Sequence, residues 1–169
     1  MNILDTIFTR RSIRSFTGEV ISDQDLETIL KAGFQGPSAH NREPREYIVI
    51  KDEATLEKIP TFHPYTKMLP KAKCGIVVCG NKEKQAEVGF LALDSAASMQ
   101  NMLLAAHGLG LGAVWCGLYP VPELMGPMSE LLGLPEHIIP ISMVVVGVKD
   151  KDSKAIDRYN EENIHYDKW

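Results

Sequence analysis

IPISMVVVGV, residues 139–148, is a nearly unbroken apolar run of strand length. A strand with one wet face alternates apolar and polar positions; this one offers neither face to water, which predicts a strand covered on both sides. CGIVVCG, 74–80, has the same character. Between them lies the longest helical pattern of the chain, residues 84–107, with Ala, Leu, Met and Ser on most sides and Asp94, Gln100 and Asn101 as its few polar positions. It predicts a buried central helix. AVWCGL, after that helix, and REYIVIKD, 45–52, read as further strands, and DEATLEKI behind the latter as a short helix. Ser22 and Asp25 ahead of LETILKAGF form a capping box, giving a helix over 22–34 that ends around Gly33 and Gly36. Helices alternating with covered strands make an α/β or α+β sandwich the natural class.

A chain of 169 residues with 44% hydrophobic content suits one domain, 1–169. The formal charge of −4 argues against a nucleic-acid binder. MNILDTIF lacks a long apolar stretch, and no apolar run approaches about 18 residues, so the expectation is a cytoplasmic protein without a membrane segment. Three cysteines, Cys74, Cys79 and Cys116, fit reduced thiols better than a disulfide framework, and no spacing suggests a metal site. Cys74 and Cys79, an odd number of residues apart on one strand, should face opposite sides. Cys116 reads as a buried thiol rather than a nucleophile.

HGLGLGAVW, 107–115, imitates a dinucleotide-binding turn, but a helix precedes the glycines and a strand follows, the reverse of what that turn needs. Gly108 and Gly110 read instead as a helix C-cap. FTRRSIRSF, 8–16, sets three arginines close together. On a helix or its exit, Arg10 and Arg14 share a face at i, i+4 and repel unless an anion lies between them. Guanidinium forks match phosphate, with the Ser12 hydroxyl completing the shell; a solvated basic turn is the other reading. GPSAHNREP, 36–44, is loop by composition, and its small side chains and one carboxamide suit the edge of a flat heteroaromatic ring, or simply a turn.

Taken in order, RRSIRSF, PSAHNREP, GLGLGAVWCGL and the tail DRYNEENIHYDKW resemble the nitroreductase family of FMN-dependent oxidoreductases in its short form. The resemblance implies an α+β fold with a central, mainly antiparallel sheet flanked by helices. It implies an intertwined homodimer with FMN at the subunit interface. It places Arg10, Arg11, Ser12 and Arg14 around the phosphate and ribityl chain, with Arg158 and Lys154 joining from the tail. Pro37, Ser38, Ala39 and Asn41 would come from the other subunit, and Trp115, Cys116 and Gly117 would pass the flavin's N5 side. NADH or NADPH would reduce the flavin and a nitroaromatic, quinone or similar small-molecule acceptor would reoxidise it, a ping-pong scheme carried by the cofactor and not by a protein nucleophile. A flavin-binding or flavin-sensing protein without reductive turnover is the alternative, prompted by Glu43-Pro44-Arg45 where the family usually has Gln-Pro and an aromatic. Glu43 is expected to pair with Arg42 or Arg45 rather than to act catalytically; TFHPYTKMLPKAK, 61–73, is where acceptor specificity is expected, its His63, Tyr65 and Lys67 lying in a surface loop or lining a pocket mouth. His107 ends the long helix as a C-terminal cation or a satisfied imidazole.

Overall fold

The apolar runs become the two inner strands of one sheet. In the computed structural model, which describes residues 2–169, the strands are β1 (Arg45–Ile50), β2 (Gly75–Asn81), β3 (Gly112–Gly117) and β4 (Ile138–Gly147). Their spatial order is β1-β2-β4-β3 and every pairing is antiparallel. Continuous apolar strands usually signal a parallel sheet; here helices cover both faces of an antiparallel one.

Pleating divides the side chains between two cores. Cys74, Ile76, Val78, Val144 and Val146 face α2 (Asp23–Phe34) and α5 (Val88–Gly108), meeting Ile29, Met99, Met102 and Ala106. Val77, Cys79, Val114, Cys116, Met143 and Val145 face the other way, onto α3 (Glu53–Lys58), α4 (Leu69–Ala72) and α6 (Pro122–Leu132), through Leu56, Leu69, Ala72 and Met128. Cys74 and Cys79 are therefore in opposite cores, as the spacing requires. Both thiols are held well above their usual range by burial, Cys74 to about 11 and Cys79 to about 12.

Ser22 caps α2 by accepting the Asp25 N–H at 3.0 Å, and Asp52 caps α3 by accepting that of Thr55. The long helix begins at Val88, not at residue 84: Asn81 and Gln85 accept backbone amides in a turn that occupies 81–87. It ends at Gly108, and Gly110 takes φ +81°, the left-handed value that only glycine adopts freely.

The arginine stretch departs from the helical expectation. Helix α1 (Ile3–Thr9) stops before the arginines, so Arg10 and Arg14 do not share a helical face. Ile13 and Phe16 are buried, the Ile13 N–H is donated to Ala113 O at 2.9 Å, and Phe16 bridges to Lys149. Burying these two apolar side chains against the sheet edge pulls the backbone out of the helix and sends alternate arginines to different places. Residues 151–169 lie exposed along the surface.

Candidate active site

Two cavities receive the arginines. The first, of about 750 Å³, is lined by Ile7, Phe8, Arg10 and Arg11 from the end of α1, Gln100 of α5, and Ala155–Tyr159 of the tail, including Arg158. Arg10 is held below its ordinary pKa by burial first, then by the neighbouring Arg11 and Arg158. Arginine does not give up its proton under ordinary conditions, so the depression records unrelieved charge that an anion would relieve. Neither Arg10, Arg11, Arg14 nor Arg158 is in an ion pair among the described residues. Asp157, in the same wall, accepts the Tyr159 N–H.

Arg11 has a distinct task. Its guanidinium donates to the carbonyls of Lys154 (3.2 Å), Ile156 (2.7 Å), Phe8 and Arg10, fastening the tail to the end of α1. Lys154 meets the cluster through its backbone, and Ser12 is exposed at the exit of α1; neither lines the cavity.

The second cavity, about 410 Å³, opens at the end of β3 and is lined by Arg14, Val114, Trp115, Cys116 and Gly117 together with Pro64, Tyr65, Lys67 and Met68. Burial pushes the Cys116 thiol up to about 11, against a smaller opposing effect of Arg14, which leaves it a poor nucleophile. In the 62–68 segment Tyr65 and Lys67 are exposed at the cavity mouth, as a surface loop allows, whereas His63 departs from that expectation. His63 is fully buried and its Nε2 lies 2.9 Å from Gly117 O, so that nitrogen carries the proton and donates. The Cys116 thiol faces Tyr65 O at 3.6 Å. These tethers, to partners 54 and 51 residues away in the chain, bring Tyr65 and Lys67 to the cavity mouth.

The 36–44 loop lines neither cavity. His40, Asn41 and Glu43 all have positive φ, at 53°, 53° and 46°. Ser38 Oγ accepts the Glu43 N–H, and Asn41 is exposed with no hydrogen bond of its side chain within the chain among the described residues. The expected pairing of Glu43 is absent there too: Arg42 reaches Gln85 Oε1 at 3.1 Å, and Arg45 turns inward to the carbonyls of Pro37 and Phe34.

The chain matches the sequence profile of the nitroreductase family over residues 7–62 and 63–148. It belongs to the nitroreductase family. An Archaeoglobus fulgidus protein provisionally named NADH dehydrogenase/NAD(P)H nitroreductase is 43% identical over 98% of each chain. The crystal structure of a similarly named nitroreductase from Parabacteroides distasonis superposes with a TM-score of 0.96 at 34% identity, covering all of both chains. A family member from Desulfovibrio desulfuricans, solved in complex with FMN, superposes at 0.86 with 29% identity, over 100% of this chain and 98% of that one. Among the described residues of this nitroreductase-family chain, no helix is long and apolar enough to cross a membrane.

Proposed function

We propose that the protein is an FMN-dependent NAD(P)H oxidoreductase, working as a homodimer and reducing nitroaromatic, quinone or similar small acceptors. The observation that carries this reading is the convergence of Arg10 and Arg158 on one cavity, beside an Arg11 bonded to backbone carbonyls, with no carboxylate paired to any of the three among the described residues, a geometry that suits a phosphate dianion. The residues fit FMN: arginines for the phosphate, apolar walls from Phe8 and Ile156, and a second cavity to which the chain runs directly. Arg10 and Arg14 are four residues apart, at most about 14 Å in extended chain, so one ligand with a phosphate at one end and a ring at the other can reach both.

When bound, FMN supplies two-electron transfer between a nicotinamide and an acceptor. This chain's residues bind and orient it. Arg10 and Arg158 hold the phosphate, Arg11 holds the tail that carries Arg158, and Ser12 and Lys154 flank the cluster. Arg14 and Lys67 put positive charge beside the Trp115–Gly117 backbone, favouring an electron-rich ring there. Cys116 packs and does not react.

Pro37, Ser38, Ala39 and Asn41 act on the cofactor of the partner subunit. In support, their loop lines neither cavity of its own chain. It is attached to α5 at Asp94, whereas the α5 residue in the arginine cavity is Gln100, six residues or about 9 Å further along the helix. The exposed apolar side chains of α1, α5 and the tail, among them Leu4, Leu93 and Trp169, support a second copy as their cover.

The test is to purify the protein as expressed, record its visible spectrum and identify what denaturation releases. Flavin bands and stoichiometric FMN are expected, bleaching on addition of NADH or NADPH and returning with a quinone. Arg10→Ala should weaken FMN binding by about 1.5 to 3 kcal/mol, roughly ten- to hundred-fold in Kd. A colourless protein that refuses added FMN sinks the reading.

A further inference from the structure

One buried side chain of α5 grips the 36–44 loop. Asp94 is 5% exposed; its Oδ1 accepts the Ala39 N–H at 2.9 Å, and its Oδ2 is buried without a partner among the described residues. A carboxylate buried on a single backbone amide is an unfavourable arrangement for stability alone. The loop it grips is strained as well. Left-handed backbone at His40, Asn41 and Glu43, none of them glycine, persists only where the surroundings over-determine it.

Those surroundings are specific. Arg45, 4% exposed, donates to Pro37 O and Phe34 O, each at 3.2 Å. The peptides of 37–39 are thus held at one carbonyl by a guanidinium and at one amide by a carboxylate. Gly36 lies so close to α5 that a Cβ there would sit 2.8 Å from Ser98 N, which fixes the loop's root against the same helix turn. The Asn41 carboxamide, by contrast, is left for something outside the chain.

We propose that Asp94 is a positioning residue for the cofactor: by holding Ala39 it keeps the loop in the left-handed conformation that presents Ser38, Ala39 and Asn41 to FMN across the subunit interface. This rests on the FMN reading above. The strain and the half-satisfied carboxylate are then two parts of one device, which sets loop geometry from the rigid central helix.

The experiment measures the FMN dissociation constant and the visible spectrum of bound FMN for the full-length protein, Asp94→Asn, Asp94→Ala and Ala39→Pro. Asp94→Asn keeps an acceptor oxygen for Ala39 and should retain native affinity and spectrum. Asp94→Ala should bind FMN roughly ten-fold or more weakly, with shifted flavin bands. Ala39→Pro removes the N–H donor after an extended Ser38 that tolerates a following proline, and should reproduce the Asp94→Ala result without altering α5. It carries the test should Asp94→Ala fail to fold. Native affinity and spectrum in both disruptive variants overturn the proposal even with lowered melting temperatures, because Asp94 is then a stability residue only. Failure of the native protein to bind FMN removes the FMN reading and the proposal together.

Discussion

His107 is where the chemistry of single residues is most open to measurement. The Thr9 hydroxyl donates to Asp5 O at 2.6 Å and lies 2.8 Å from His107 Nε2, so the imidazole donates from Nε2. The His107 pKa is lowered below 6.5, by burial first and then by Lys149, Arg10 and Arg11, with Asp152 opposing them. Between the lowered folded value and 6.5 the unfolded chain takes up a proton that the folded chain refuses. Stability from this group is therefore complete above 6.5 and lost as pH falls through that value toward the folded one. His107→Gln keeps a donor for Thr9 and cannot titrate. The melting temperature of the native protein minus that of the variant should fall as pH drops from about 8 to 5, the background of carboxylates cancelling in the difference. Parallel curves would remove His107 from the pH response.

At the scale of elements, α5 decides where glycine is required and where it is not. At Gly36 an added methyl meets the Ser98 backbone, which cannot swing aside, so Gly36→Ala should destabilise by about 1 to 3 kcal/mol. At Gly108, in the last helical turn, a Cβ meets nothing within 4 Å, and Gly108→Ala should stabilise by about 0.5 to 1 kcal/mol. Opposite shifts in urea midpoint are the expected result; equal ones would mean that the contact at Gly36 relaxes. The same distinction governs what the sequence made legible. Strands β2 and β4 were readable because unbroken apolar runs of strand length must be covered on both faces, though the antiparallel pairing was not readable from them, and α2 because Ser22 and Asp25 cap it locally. Helix α6 does carry the helical period, with Leu124, Met125, Met128, Leu131 and Leu132 on the face that packs on the core, but Pro122, Gly126 and Pro127 read locally as breakers. The closeness of the arginines, on which the proposed phosphate site rests, was legible, but their division between two cavities was not. Ile13 and Phe16 are drawn to a sheet edge built from residues about a hundred positions later, and that contact, absent from any local window, separates Arg14 from Arg10.

The whole molecule leaves a surface that one copy does not cover. Leu93 on α5 is 66% exposed and belongs to neither cavity, close in sequence to the Asp94 that holds the loop. In a two-fold dimer each such side chain is buried twice. Covering a leucine is worth about 1.5 kcal/mol or more, so replacing both copies with a charged side chain should weaken association by about 3 kcal/mol, roughly two orders of magnitude. If the arginines of one chain and the loop of the other enclose the same FMN, binding and association are linked, and FMN affinity must fall with dilution as the dimer separates. Leu93→Glu should then lower the mass measured by light scattering and the FMN affinity together, and high protein concentration should restore both. A monomeric Leu93→Glu protein with native FMN affinity would place the whole site within one chain, and the strained 36–44 loop would need another occupant.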